Sequence, residues 1–274
     1  MNEVQSPKSK VRGPRCKVQG PKAKAKAGGY YSSLAIFGLL LFSFCLSSQA
    51  TSAETFFRQG TSAYGAGDYA QAASAFRQAV AIQPASGTLQ NLGNAEWQAG
   101  RSGAAILAWE QALWLDPFNQ AARADLRFAR KAAQLEVPEL SWCEVVSTWL
   151  PMNWWAWIAG LSLWLAVGMG MVPGILRARK AAWHQALAAF GLAVFLLCVP
   201  AHLGIETRSR LGFVLTQNTP LRLTPTQEAQ YLTRLPAGEP ARVERTRGDF
   251  LLIRTNRALG WIEKDQFEAI CPFS

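Results

Sequence analysis

Three long apolar blocks interrupt a chain in which hydrophobic and polar residues otherwise alternate over short distances. The first block covers about thirteen residues from Leu34 to Leu46, and the others cover residues 153–176 and 183–205. Neither of the last two blocks contains Asp, Glu, Lys or Arg. A helix rises about 1.5 Å per residue, so each of them can cross a hydrocarbon core about 30 Å thick. The pattern therefore predicts a hairpin of two transmembrane helices.

The first apolar block is preceded by a basic leader and followed by small residues. Residues 1–29 carry eight Lys or Arg and one acidic residue. Ser48-Gln-Ala50 and Thr51-Ser-Ala53 both suit cleavage by signal peptidase. The order of basic, apolar and small segments is typical of a secretory signal peptide, which we place with its leader at residues 1–53. An uncleaved signal anchor is the alternative interpretation.

The loop at residues 177–182, between the two predicted spans, is short and basic, with Arg177, Arg179 and Lys180. Loops rich in Lys and Arg stay on the cytoplasmic side, so both flanks of the hairpin are expected outside. A signal peptide that exports the chain after residue 53 gives the same orientation. We therefore expect a multi-pass protein of the inner (cytoplasmic) membrane, with its soluble modules extracytoplasmic.

Residues 54–118 contain an internal repeat of small, aromatic and proline positions 33 residues apart. The pairs are Gly60 and Gly93, Tyr64 and Trp97, Gly67 and Gly100, Phe76 and Trp109, and Pro84 and Pro117. Each unit reads as two amphipathic helices ended by proline, and the pattern resembles that of tetratricopeptide repeats. Residues 119–134 read as a capping helix. We therefore expect an all-α array of two repeats over residues 54–135, followed by a linker over residues 136–152.

The resemblance to tetratricopeptide repeats implies a concave face, lined by the first helix of each unit, that binds peptide segments. Six positions become partner-binding candidates: Phe57, Thr61, Tyr64, Gln90, Asn94 and Trp97. Asn94 is suited to bond a ligand backbone, and the aromatic rings are suited to stack on ligand side chains. The alternative is that these aromatic residues only complete the packing between helices.

After Glu206 the sequence changes to short extended runs separated by Pro, Gly and polar residues, which predicts a small all-β barrel over residues 206–274. The order of Gly248-Asp-Phe and Gly260-Trp-Ile resembles bacterial SH3-like domains. Such domains bind wall polymers or peptides in aromatic grooves. The candidates for that groove are Tyr231, Phe250 and Trp261. The alternative places Phe250 and Trp261 in the barrel core.

Charge and chemical motifs exclude several classes of function. The formal net charge is +10, of which residues 1–29 carry +7, so no basic stripe remains to follow nucleic acid. The chain contains no P-loop or HExxH motif and no paired metal-ligand cluster. We therefore predict no catalytic residue, no cofactor and no metal site. Of the five cysteines, Cys143 and Cys271 lie in soluble regions, where a disulfide between them is the alternative to free thiols.

The order of signal, short repeat array, two-helix hairpin and SH3-like end resembles the BatE-type proteins of aerotolerance operons. The resemblance implies an association with von Willebrand factor A-domain membrane proteins and a MoxR-type ATPase, in scaffolding for envelope stress tolerance. The sequence thus predicts a multidomain, non-enzymatic scaffold anchored in the membrane. The alternative is a cell-wall-binding sensor whose SH3-like domain contacts peptidoglycan.

Overall fold

The computed structural model describes residues 52–175 and 182–271, with the side chains of 172–175 excepted. The predicted signal peptide at 1–53 lies outside the described residues except for its last two. Nearly all of the predicted basic loop at 177–182 also lies outside them. The described helices are α1 (52–65), α2 (Tyr69–Ile82), α3 (Ser86–Gln98), α4 (Ser102–Leu115), α5 (Gln120–Ala133), α6 (Trp142–Ser147), α7 (Met152–Ile175) and α8 (Ala182–Arg208).

The two predicted repeats are two equivalent helical hairpins, α1–α2 and α3–α4. A Cβ atom added at Gly60 would lie 2.7 Å from the Phe76 ring, and one added at Gly93 would lie 2.5 Å from the Trp109 ring. Each glycine therefore lets the aromatic residue of the following helix approach the backbone of the first. Gly67 and Gly100, with φ of 81° and 78°, make the left-handed turn within each hairpin. The predicted helical array is confirmed.

α5 takes the place of a further first helix and covers one side of α4. It buries Ala122, Leu126 and Ala129, and Arg130 forms an ion pair with the buried Glu110 of α4. Asn119 caps the helix by accepting from the Ala122 N–H at 3.0 Å. α5 thus covers one side of α4.

The segment predicted as a linker, residues 136–152, contains the short helix α6. Ser141 and Glu144 form a capping box at its start, in which the Ser141 N–H donates to Glu144 Oε2 at 2.7 Å. α6 packs on α8, because a Cβ atom at Gly204 would lie 2.1 Å from the carbonyl oxygen of Cys143. This contact fixes the entry and the exit of the helical hairpin beside each other.

α7 and α8 run antiparallel and pack along their length. Trp155 and Ala159 of α7 share a cluster with Cys198 and Ala201 of α8. Further along, a Cβ atom at Gly191 would lie 2.7 Å from a backbone oxygen of α7. The ranges Met152–Met171 and Ala182–Arg208 are long and apolar enough to cross a membrane, by length and composition. The two predicted apolar helices are therefore present.

The C-terminal region is an antiparallel sheet. Its strands are β1 (Leu211–Val214), β2 (Thr219–Arg222), β3 (Tyr231–Leu235), β4 (Pro240–Arg247), β5 (Phe250–Arg254), β6 (Leu259–Glu263) and β7 (Phe267–Ala269). The spatial order is β3-β2-β6-β5-β4-β1-β7, so β3 and β7 form the two edges of the described sheet. An all-β C-terminal region is confirmed. The described strands do not close into the predicted barrel, because no ladder joins the two edges.

The sheet and the repeat array share a hydrophobic core. Leu211 and Phe213 of β1 and Ile270 pack into the same cluster as the residues of α4. A Cβ atom at Gly103 would lie 2.4 Å from the Leu215 carbonyl oxygen, so the start of α4 touches the backbone that follows β1. Arg242 of β4 donates to both carboxylate oxygens of Glu144, at 2.6 and 2.8 Å. The sheet therefore packs directly on the repeat array and on α6.

Candidate binding groove of the helical repeats

Three adjoining clefts run along the faces of α1 and α3. Their volumes are about 380, 80 and 270 Å³. The first and second clefts share Asn91, and the second and third share Tyr64 and Asn94. All six partner-binding candidates line this groove: Phe57 and Gln90 the first cleft, Thr61, Tyr64 and Asn94 the second, and Trp97 the third. The spacing in the sequence thus identified residues that the fold brings together.

Polar groups in the groove are positioned by the helices behind it. The indole Nε1 of Trp109 donates to Asn94 Oδ1 at 3.0 Å, which leaves the amide N–H groups of Asn94 to face the groove. The hydroxyl of Thr61 donates to the Phe57 carbonyl at 3.0 Å, so its oxygen retains acceptor capacity. The groove therefore offers both a donor and an acceptor to an extended peptide backbone.

The aromatic candidates also contribute to packing. Phe57 lies 5.7 Å from Phe76, and Trp97 lies 5.9 Å from Trp109, between ring centroids. Phe57 and Trp97 are both half-buried, and each lines a cleft as well as packing on the helix behind it. One side of each ring therefore lines the groove, and the other side packs between helices. Both interpretations of the aromatic residues apply to Phe57 and Trp97.

The third cleft includes two groove residues that the sequence interpretation missed, Asp125 and Phe128 of α5. A spacing of 34 residues, the usual length of the repeat, relates them to Asn91 and Asn94 of α3. This 34-residue spacing could have identified Asp125 and Phe128 as groove residues from the sequence. Burial raises the pKa of Asp125, and a hydrogen bond from the Gln90 side chain lowers it in part.

The three candidates for a groove on the sheet lie together on its outer face. Trp261 pairs with Leu252 of β5 and with Arg222 of β2, and Arg222 in turn pairs with Tyr231. Phe250 lies two residues from Leu252, so it points to the same side. The sheet core is formed by the opposite face, which includes Leu221, Ile253 and Ile262. The alternative that Phe250 and Trp261 fill the core does not fit this register.

Arginine side chains surround these aromatic residues. Arg222 forms an ion pair with Glu263 at 2.9 Å, and the Arg234 guanidinium lies 5.5 Å from the centroid of Tyr231. Arg245 and Arg247 of β4 pair with residues of the same face and are exposed. The outer face of the sheet is therefore aromatic and cationic, and it lies apart from the groove of the repeats.

Neither a metal cluster nor a disulfide is present in the described part of the chain. Among residues 52–175 and 182–271, no group of three His, Cys, Asp or Glu could hold a metal ion. Cys143, Cys198 and Cys271 are free thiols, so the disulfide considered between the first and the last is not formed.

A helical array with a lined concave groove defines a repeat-type interaction module, a class that binds protein partners and is typically non-catalytic. Comparison with family models is consistent with that class, because residues 53–86 match the tetratricopeptide repeat. No curated protein matches the chain. The matched residues cover α1 from its second residue and all of α2, and thus include Phe57, Thr61 and Tyr64 of the groove.

Proposed function

We propose that the protein is a non-enzymatic scaffold, anchored in the membrane, whose repeat groove binds an extended segment of a protein partner. The observation that carries the proposal is the continuous groove, in which the six residues taken from the repeat pattern line three adjoining clefts. Asn94 supplies donors for a peptide backbone, and half-buried aromatic rings supply apolar contact.

Membrane anchoring is supported by the surface of α7 and α8. Large apolar side chains project from both helices, with Trp157 77%, Trp164 75% and Leu197 73% exposed. A water-soluble surface rarely carries so large an apolar patch, whereas a bilayer solvates it. Because α6 and the end of α8 pack together, both ends of the hairpin emerge on one side. We place that side outside the cytoplasm, opposite the basic loop.

The partner and the process follow from the order of segments that resembles the BatE-type proteins. We propose a von Willebrand factor A-domain membrane protein as the groove partner, in an envelope-stress complex that includes a MoxR-type ATPase. An extracytoplasmic groove held close to the bilayer suits a partner that is anchored in the same membrane.

A second candidate function is binding of peptidoglycan through the sheet, as expected of an SH3-like domain. The observation that favours it is the outer face, where Tyr231, Phe250 and Trp261 lie among arginine side chains. Aromatic rings stack on sugars and peptides, and arginine pairs with carboxylates such as those of wall peptides.

Photo-crosslinking in native membranes tests the groove. We expect Thr61→p-benzoylphenylalanine, at an exposed groove position, to form a light-dependent adduct with a von Willebrand factor A-domain protein. The matched control is the same replacement at Gln78, an exposed residue of α2 outside the clefts. Identical adducts at both positions, or none at Thr61, would count against the scaffold.

Sedimentation with peptidoglycan tests the second candidate. The full chain in detergent should co-sediment, Trp261→Ala should reduce the bound fraction severalfold, and the exposed Leu223→Ala should not change it. If the chain stays in the supernatant, the wall-binding function is excluded.

A further inference from the structure

The third cleft of the groove is a pocket with aromatic walls and a carboxylate. Tyr64, Trp97 and Phe128 line it, together with Asp125, around about 270 Å³. The rings of Trp97 and Phe128 lie 6.0 Å apart with an angle of 71° between their planes, so they form a corner. Phe128 is 62% exposed, which leaves this wall open to a ligand.

Asp125 differs from the buried carboxylates of the helices around it. Each of those has a guanidinium partner: Glu96 has Arg77 and Arg101, Glu110 has Arg130, and Glu144 has Arg242. Within the described ranges, no Lys or Arg forms an ion pair with Asp125. Its carboxylate instead forms a hydrogen bond with the side chain of Gln90. Partial burial without a counter-charge raises its pKa. A cation placed in the cleft would supply the missing charge.

The nearby arginines of α5 do not serve that purpose. Arg123 donates to the carbonyl of Pro117, and Arg130 pairs with Glu110. Arg127 and Lys131 lie at helical positions about 160° and 120° from Asp125, given about 100° per residue. The carboxylate therefore faces the groove while the basic side chains of the same helix face elsewhere.

A cation is also the ligand that suits the rings. The face of an aromatic ring attracts an ammonium or guanidinium group, most strongly for Trp, and the attraction grows when water is excluded. We propose that this pocket binds the side chain of a Lys or Arg residue in the partner segment. The proposal rests on the proposed function, since it assumes that the groove takes a peptide, and it adds the chemistry that the peptide must carry.

The rest of the groove fits a peptide anchored in this way. The amide of Asn94, which lines both the second and third clefts, is placed to donate to a backbone carbonyl next to the basic residue. The chain of the partner then continues toward Phe57 and Gln90 in the first cleft. The basic residue thus fixes the register of the segment along the groove.

Selection from a library of seven-residue random peptides, with the full chain in lipid nanodiscs as bait, tests the proposal. We expect enrichment of Lys or Arg at one position. Replacing that residue by its neutral analogue, norleucine for Lys or citrulline for Arg, should weaken binding about tenfold in fluorescence polarisation.

Variants of the pocket locate the effect. Asp125→Asn keeps the shape and a hydrogen-bonding group, and it should weaken the basic peptide about tenfold while leaving its neutral analogue unchanged. Phe128→Leu should weaken the basic peptide severalfold. The control is Phe118→Leu, which removes an aromatic ring that is 58% exposed and outside the clefts, and it should have no effect.

The outcomes separate this inference from the proposed function. Peptides that bind and are displaced by a groove substitution such as Asn94→Ala, but show no basic enrichment, would overturn the pocket and keep the scaffold. An equal loss for basic and neutral peptides in Asp125→Asn would also overturn it. If no peptide is selected, the peptide-binding function itself fails.

Discussion

The two faces of the repeat array differ in the residues that they present. The face covered by the sheet has a glycine, Gly103, at its closest approach. The same sheet is joined to α6 by Glu144, a buried carboxylate that accepts two hydrogen bonds from Arg242. The face left open has aromatic rings and the carboxylate of Asp125, which has no counter-charge among the residues that the structure describes. Small residues and paired charges indicate a surface that is already occupied. Large aromatic rings and an unpaired charge indicate a surface that is free to bind a ligand.

This difference explains how two repeats form a stable array. Such arrays usually need three or more units because a single unit cannot bury its apolar faces. Here α5 covers one side of α4, and β1 with Ile270 covers another. The sheet thus replaces a further repeat, and the groove on the opposite side stays free.

The largest effect should come from the ion pair that joins α6 to the sheet, at Glu144. Its side chain is 1% exposed, and Glu144→Ala leaves Arg242 without a carboxylate partner while also removing the cap of α6. We expect a loss of about 3 kcal/mol in the free energy of unfolding. The full chain in detergent micelles should show it as a lower midpoint of thermal unfolding, followed by circular dichroism.

The control for Glu144 is Glu244→Ala, which removes an ion pair with Arg254 whose partners are 41% and 61% exposed. An exposed pair contributes about 0 to 1 kcal/mol, so the midpoint should hardly change. Equal shifts for the two variants would mean that the buried charge of Glu144 does not hold the sheet on α6.

A smaller loss is expected from Gly103→Ala. The added methyl group would overlap the backbone oxygens of Val214 and Leu215, at 2.6 and 2.4 Å from its carbon. Neither can move without shifting the sheet, so we expect a loss of about 2 kcal/mol in the free energy of unfolding. Gly87→Ala is the matched control, at the second position of α3 with nothing within 4 Å.

In thermal unfolding, Gly87→Ala should be neutral or slightly stabilising, because alanine favours helix over glycine. A midpoint for Gly103→Ala at or above that of the unsubstituted chain would contradict the close packing of α4 on the sheet.

The smallest effect on stability is expected on the open face, from Phe128→Ala. The side chain is mostly exposed, and its described ring contact is with Trp97. We expect the free energy of unfolding to change by about 1 kcal/mol or less. The same thermal measurement checks this. A loss of unfolding free energy as large as that of Glu144→Ala would show that the ring pair of Trp97 and Phe128 stabilises the fold. It would then count against a role of this pair in ligand binding.

Local patterns in the sequence were sufficient for the repeats. The 33-residue spacing related Gly60 to Gly93 and Phe76 to Trp109, and the structure has the same contact in both pairs. The six groove candidates lie together because that spacing carries positions from one helix to its equivalent. Asp125 and Phe128 were missed because α5 was read only as a cap.

Contacts between distant segments could not be read from the sequence. Glu144 and Arg242 are 98 residues apart, and each by itself looks like an ordinary surface charge. Gly103 resembles any glycine near the start of a helix until the Leu215 backbone lies against it. β3 is difficult to recognise from the sequence, because its residues are mostly exposed and do not alternate clearly.

The close packing of Gly204 on Cys143 has a mechanical consequence. Only two residues lie between Arg208, the last residue of α8, and Leu211, the first residue of β1. In addition, α6, which precedes α7, packs against the end of α8 at Gly204. The connection between the helical pair and the rest of the chain therefore leaves little room for rotation of one relative to the other. If the helical pair spans a bilayer, as proposed, a tilt of the pair would also tilt the repeats and the sheet. A partner would therefore meet the groove at one set angle to the lipid surface.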